Sequence, residues 1–156
     1  MLSFLASCTF TADGPVAVMT NQEQQSSSDA SHAVLLIDDN AVQAAIRQTV
    51  LRRAGYFVIA ALNPMRALEQ FKDDAFPATI NAVITDHIMP GMNGAQFIRE
   101  LRKLQPTLPV MVISGLEEAE QEYAGLNVQF LLKPLSPDLL LSNLQYLIAQ
   151  EHEGAA

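Results

Sequence analysis

From residue 33 onward, short apolar runs alternate with longer segments whose apolar residues recur at helical spacing. The run Ala33-Val34-Leu35-Leu36-Ile37 has no polar interruption, which predicts a strand buried on both faces. Asn40 is suited to cap a following helix with Val42, Ile46 and Val50 on one face, Arg52 and Arg53 in its last turn and Gly55 as its stop. A second strand is predicted over residues 56–60, and Asn63-Pro64 opens a second helix. Residues 80–85 make a third strand, after which Phe97, Leu101 and Leu104 carry a helix as far as Pro106. Residues 109–113 predict a fourth strand, 117–124 a short and very acidic helix, and 128–132 a fifth strand. Ser136-Pro137-Asp138 then caps a last helix that turns Leu140, Leu144 and Leu147 to the core.

Five strand–helix units in succession predict an α/β fold: a flavodoxin-like, doubly wound, five-stranded parallel sheet of order 2-1-3-4-5 with helices on both faces. Ligands of such sheets bind beyond the carboxyl ends of the strands, near the point where strand order reverses. Asp38 and Asp39 stand at the end of strand one, Asp86 of strand three, Ser114 of strand four and Lys133 of strand five. Strand two, expected at an edge, ends in the inert Ala60-Ala61-Leu62. Polar chemistry therefore collects at one rim, on strands expected to be central.

Three crowded carboxylates repel, so they must take up protons or share a cation. A hard divalent ion with oxygen ligands answers this, Mg²⁺ first and Mn²⁺ as the alternative. Lys133 offers a point charge and Ser114 a hydroxyl donor, a pairing suited to phosphoryl oxygens, while Gly115 leaves room for the group. Such a site is suited to phosphoryl transfer onto a carboxylate, with Asp86 as nucleophile.

The ordered set Asp38-Asp39, Asp86 in Asp-x-x-Met-Pro-x-Met-x-Gly, Ser114-Gly115 and Lys133-Pro134 resembles the receiver domain of two-component response regulators, of the stand-alone, chemotaxis-regulator-like type. The resemblance implies that Asp86 accepts phosphate from a phosphohistidine on a histidine kinase or phosphotransfer protein. It implies that Asp39, Asp86 and the main-chain carbonyl of Ile88 ligate Mg²⁺ directly, that Asp38 acts mostly through water, and that Ser114 and Lys133 grip the phosphoryl group. Ser114 and Phe130 would form the switch that reports to a downstream target protein. Because position 130 is Phe, a readout that depends on a tyrosine hydroxyl there is unavailable. Ile88 is apolar where many relatives are polar, and is expected to shield the acyl phosphate, giving it a longer life than in an Ile88→Asn variant. The 19 residues from Ser114 to Lys133 are tight for the family, so the fourth helix is expected to be trimmed.

Composition narrows the alternatives. The 156 residues suit one domain, so any output domain is expected on another chain. The formal charge of −8 disfavours nucleic acid and anionic membrane as partners. The predicted layout is a flexible leader over 1–31, the receiver over 32–150 and a tail over 151–156. The leader holds the polar tract from Asn21 to Ser28, a lone Cys8 whose flanks lack the basic residue and length of a lipoprotein signal, and Met19 as a candidate natural start. The expected setting is the cytoplasm.

Plainer uses of the same residues are a capped helix for Asp38-Asp39-Asn40, a strand exit for Lys133-Pro134, a solvated face for Glu117, Glu118, Glu120 and Glu122, and a loop position at the site entrance for His87. The expected class is a phosphoacceptor signalling domain that assists its own phosphorylation and dephosphorylation, rather than an enzyme, and that either docks on a target protein as a switch or passes the phosphate on through a relay. Two alternatives stand beside it. One is a receiver-like interaction module that needs no phosphorylation. The other is a haloacid-dehalogenase-type phosphohydrolase, which requires an aspartate where this chain has Asn40.

Overall fold

The computed structural model describes residues 31–155. Its compact unit begins at His32; Cys8, Met19 and the polar tract of the expected leader lie outside the described residues. In chain order the elements are β1 (Ala33–Ile37), α1 (Ala41–Arg53), β2 (Phe57–Ala61), α2 (Pro64–Lys72), β3 (Ile80–Asp86), α3 (Gly94–Leu104), β4 (Val110–Ser114), a 3₁₀ segment (Glu117–Tyr123), β5 (Gln129–Leu132) and α4 (Pro137–Ala155). The strands pair in parallel in the order β2-β1-β3-β4-β5, as predicted.

Alternation along each strand divides the core in two. Leu35, Ile37, Val83, Val110 and Val112 face α2, α3 and the 3₁₀ segment, meeting Leu68, Phe97, Ile98 and Leu101. Val34, Leu36, Ala82, Ile84, Met111 and Ile113 face α1 and α4, meeting Ala44, Leu51, Leu140, Leu144 and Ile148. The central strands are thus apolar on both sides, which is why they read as unbroken runs.

Caps and stops behave as the residue types dictate. The Asn40 side chain accepts from Gln43 N–H, Asn63 accepts from Met65 and Arg66, and Asn93 and Gln96 form a reciprocal capping box on α3. Among the described residues, no helix is long and apolar enough to cross a membrane.

Four expectations are corrected. In α1 the inward residues are Ala44 and Leu51, seven apart, while Val42 and Ile46 are 71 % and 60 % exposed; the small Ala44 lets the helix lie close on the strands. The acidic segment after β4 is 3₁₀ rather than α, a winding that rises about 2.0 Å per residue against about 1.5 Å and so closes a short connection with fewer residues. β2 starts one residue later than expected, and β3 and β4 each run one residue further, so Asp86 and Ser114 end their strands from within the ladder. Finally, α4 continues to Ala155 through most of the expected tail, since nothing in its sequence breaks a helix before Gly154.

Candidate functional site

The parallel register brings the strand ends level. Ile37 lies beside Thr85, Asp86 beside Ile113 and Ser114 beside Leu132, so the residue leaving each of these strands enters the same rim. Main-chain bonds continue the ladder past the strand ends, from His87 N–H to Ile113 and from Lys133 N–H to Ser114. The predicted residues Asp38, Asp39 and Asp86 meet there, with one carboxylate oxygen from each lying within 4.8 Å of the others. Asp38 and Asp86 are buried and Asp39 is exposed.

Lys133 Nζ lies 3.5 Å from Asp86 Oδ1, and its peptide bond to Pro134 is cis. Ser114 is buried, and its hydroxyl turns to its own loop, accepting from Leu116 N–H at 2.9 Å. Ile88 is 64 % exposed at the rim. Phe130 is half-buried on β5, with its ring 5.7 Å from that of Tyr123.

Two features were missed in the sequence. Arg47, on α1, donates from Nη1 to both Asp38 Oδ2 and Asp86 Oδ1, each at 3.0 Å, and from Nη2 to Gln43 Oε1 at 2.8 Å. Its position was legible in principle: residues 44, 47 and 51 share one helical stripe, so a cation at 47 stands on the inward face. His87 is buried rather than at the entrance. Its Nδ1 lies 2.7 Å from the Tyr123 hydroxyl and its Nε2 3.1 Å from Glu122. Glu122 is otherwise exposed like the rest of its acidic run.

The electrostatics follow from burial. Removal from water pushes the Asp38 carboxyl up to about 6, and neighbouring Asp86 adds to the rise, while the Asn40 N–H and the Arg47 guanidinium oppose it. Tyr123, buried beside Glu122, is pushed well above the ordinary phenol range, so its hydroxyl stays protonated as a hydrogen-bonding group. Asn40, where a phosphohydrolase of the haloacid-dehalogenase type needs an acid, is engaged as the α1 cap.

Residues 34–145 match the model of the response regulator receiver domain. The chain belongs to the response regulator receiver family. It is 32 % identical over 122 residues to a two-component response regulator of Arabidopsis thaliana, ARR21, covering 78 % of this chain and 20 % of that protein. It is 30 % identical to the transcriptional regulatory protein ZraR of Escherichia coli (strain K12), covering 76 % and 27 % respectively. The chain therefore spans about a fifth to a quarter of the length of these relatives. Among solved structures, chemotaxis protein CheY4 of Vibrio cholerae aligns with a TM-score of 0.67 at 27 % identity, over 76 % of this chain and 99 % of that one. The receiver fold is thus present, with an acidic cluster at the carboxyl rim of its sheet.

Proposed function

We propose that this receiver is a phosphorylation-controlled switch whose acceptor is Asp86. The observation that carries the reading is the convergence on one buried carboxylate of Lys133, 3.5 Å away, and of two further acids within 4.8 Å. A carboxylate oxygen of Asp86 attacks the phosphorus of a phosphohistidine supplied by a histidine kinase or phosphotransfer protein. The P–N bond breaks, its electron pair returns to the imidazole nitrogen, and that nitrogen regains a proton from solvent.

Lys133 steadies the charge on the transferred oxygens, and Ser114 donates to them once its hydroxyl leaves Leu116. The donor set fits a hard cation, because its members are all carboxylate oxygens and two of the three acids are buried. Mg²⁺, or Mn²⁺, held by Asp39, Asp86 and the main-chain carbonyl of Ile88, with Asp38 acting mostly through water, would supply further neutralisation of the phosphoryl oxygens. The added charge of about −1.5 to −2 then biases the packing of Ser114 and Phe130 and so the docking of a target protein in the cytoplasm. The domain assists its own phosphorylation and dephosphorylation and turns over no separate substrate.

The test is addition of beryllofluoride, a phosphoryl mimic, with Mg²⁺, followed by NMR. Shifts at Ser114, Phe130 and Lys133 in the wild type that vanish in Asp86→Asn are expected. A wild type that does not respond would replace this reading with a phosphorylation-independent interaction module.

A further inference from the structure

We infer that Arg47 is a built-in counter-cation of the acceptor site, and that a divalent ion can bind only by displacing its guanidinium. The inference rests on the reading of Asp38, Asp39 and Asp86 as a cation site. One nitrogen, Nη1, lies 3.0 Å from both Asp38 Oδ2 and Asp86 Oδ1, so the guanidinium stands between two of the three acids that would share the ion. Asp86 Oδ1 also faces Lys133 Nζ, which leaves that oxygen engaged by two cations.

The contact is held in place rather than loosely folded over the site. The Arg47 side chain is only 12 % exposed, and its second terminal nitrogen is tied to Gln43 one turn earlier on α1. A guanidinium suits this work, since its planar fork can hold carboxylates and an amide oxygen at once, whereas an ammonium is a single point.

Charge balance gives the consequence. At neutral pH three acids face Arg47 and Lys133, so one negative charge remains unneutralised. A divalent cation added with the guanidinium in place would carry that set to net positive, so the ion binds only as Arg47 leaves and its two ion pairs are given up. When a doubly negative phosphoryl group arrives with the ion, the freed guanidinium gains a new anionic partner. Arg47 thereby makes the resting site a poor cation binder and couples tight Mg²⁺ binding to arrival of the phosphoryl group.

The experiment is calorimetric Mg²⁺ binding to the full chain, wild type against Arg47→Gln, Gln43→Ala and Arg47→Lys, with thermal melting to verify folding. Arg47→Gln is expected to bind Mg²⁺ at least tenfold more tightly than the wild type, and Gln43→Ala to shift affinity the same way by less. Arg47→Lys should lie nearer the wild type than Arg47→Gln does. In the wild type, beryllofluoride should raise Mg²⁺ affinity by a larger factor than in Arg47→Gln. A role confined to packing would leave Mg²⁺ affinity unchanged or weaken it, so equal or weaker binding by folded Arg47→Gln overturns the inference while leaving the acceptor site standing. Should Arg47→Gln not fold, Gln43→Ala decides alone, and unchanged affinity there overturns it. Absence of Mg²⁺ binding in every protein, with or without beryllofluoride, overturns both readings together.

Discussion

Asp86 and His87 are neighbours in sequence, both buried, and they serve opposite sides of the sheet rim. Asp86, at the end of β3, looks into a charged cluster in which Arg47 pairs with it and with Asp38, just past β1, while Lys133 pairs with Asp86. His87 looks toward the 3₁₀ segment, where its ring meets the Tyr123 hydroxyl and the Glu122 carboxylate, with Phe130 beyond. The first set is held by ion pairs. The second is held by ring packing and hydrogen bonds. Together they line the two sides of one strand end.

Gly94 is where the two sets touch. A Cβ at this position would meet the main-chain oxygen of Asp86 at 2.8 Å, the Cα of His87 at 3.1 Å and the Tyr123 hydroxyl closer still. Gly94→Ala should therefore disturb both sides, with a loss of about 3 kcal/mol typical of an overpacked core, read from denaturant midpoints. A midpoint equal to the wild type would show that the contact yields without cost.

Asp38 offers a way to disturb the charged side alone. Its folded pKa of about 6 lies above the ordinary 3.8, so between these values the folded chain keeps a proton that the unfolded chain has released. This contribution to stability is complete below pH 4 and is lost as pH rises through 6. Without divalent cations, the wild type should lose about 1–3 kcal/mol more than Asp38→Asn between pH 4 and 7. Parallel profiles in chemical denaturation would remove the assigned penalty.

The smallest effect is expected on the other side. Tyr123→Phe deletes one hydroxyl and leaves the His87 nitrogen without it, at a cost of about 1 kcal/mol. Mg²⁺ affinity should stay within about twofold, because the hydroxyl lies outside the ionic set, a difference well below the 1.4 kcal/mol of a tenfold change. A large change in affinity would join the two regions into one.

What was legible in the chain, and what was not, follows the same division. Unbroken apolar runs over residues 33–37 and 110–113 can be satisfied only between two layers of helices, and that constraint led to the strand order and to the rim carrying Asp38, Asp39, Asp86, Ser114 and Lys133. These residues sit at strand ends, where position along the chain already specifies position in space. Arg47 and Tyr123 occupy helical elements, and their roles depend on how those elements are rotated. The apolar residues of α1 lie on more than one side, so spacing favoured Val42 and Ile46, yet packing buried Ala44 and Leu51 and swung Arg47 inward.

By itself, then, the sequence determined the sheet, its order and the rim at which the three acids gather, because strand burial and alternation are local consequences of side-chain type. Only the tertiary structure decided the partners across the rim: the guanidinium between two acids, and the phenol against His87. Those contacts join residues 39 and 36 positions apart, and their formation depends on close packing of α1 and the 3₁₀ segment against the sheet.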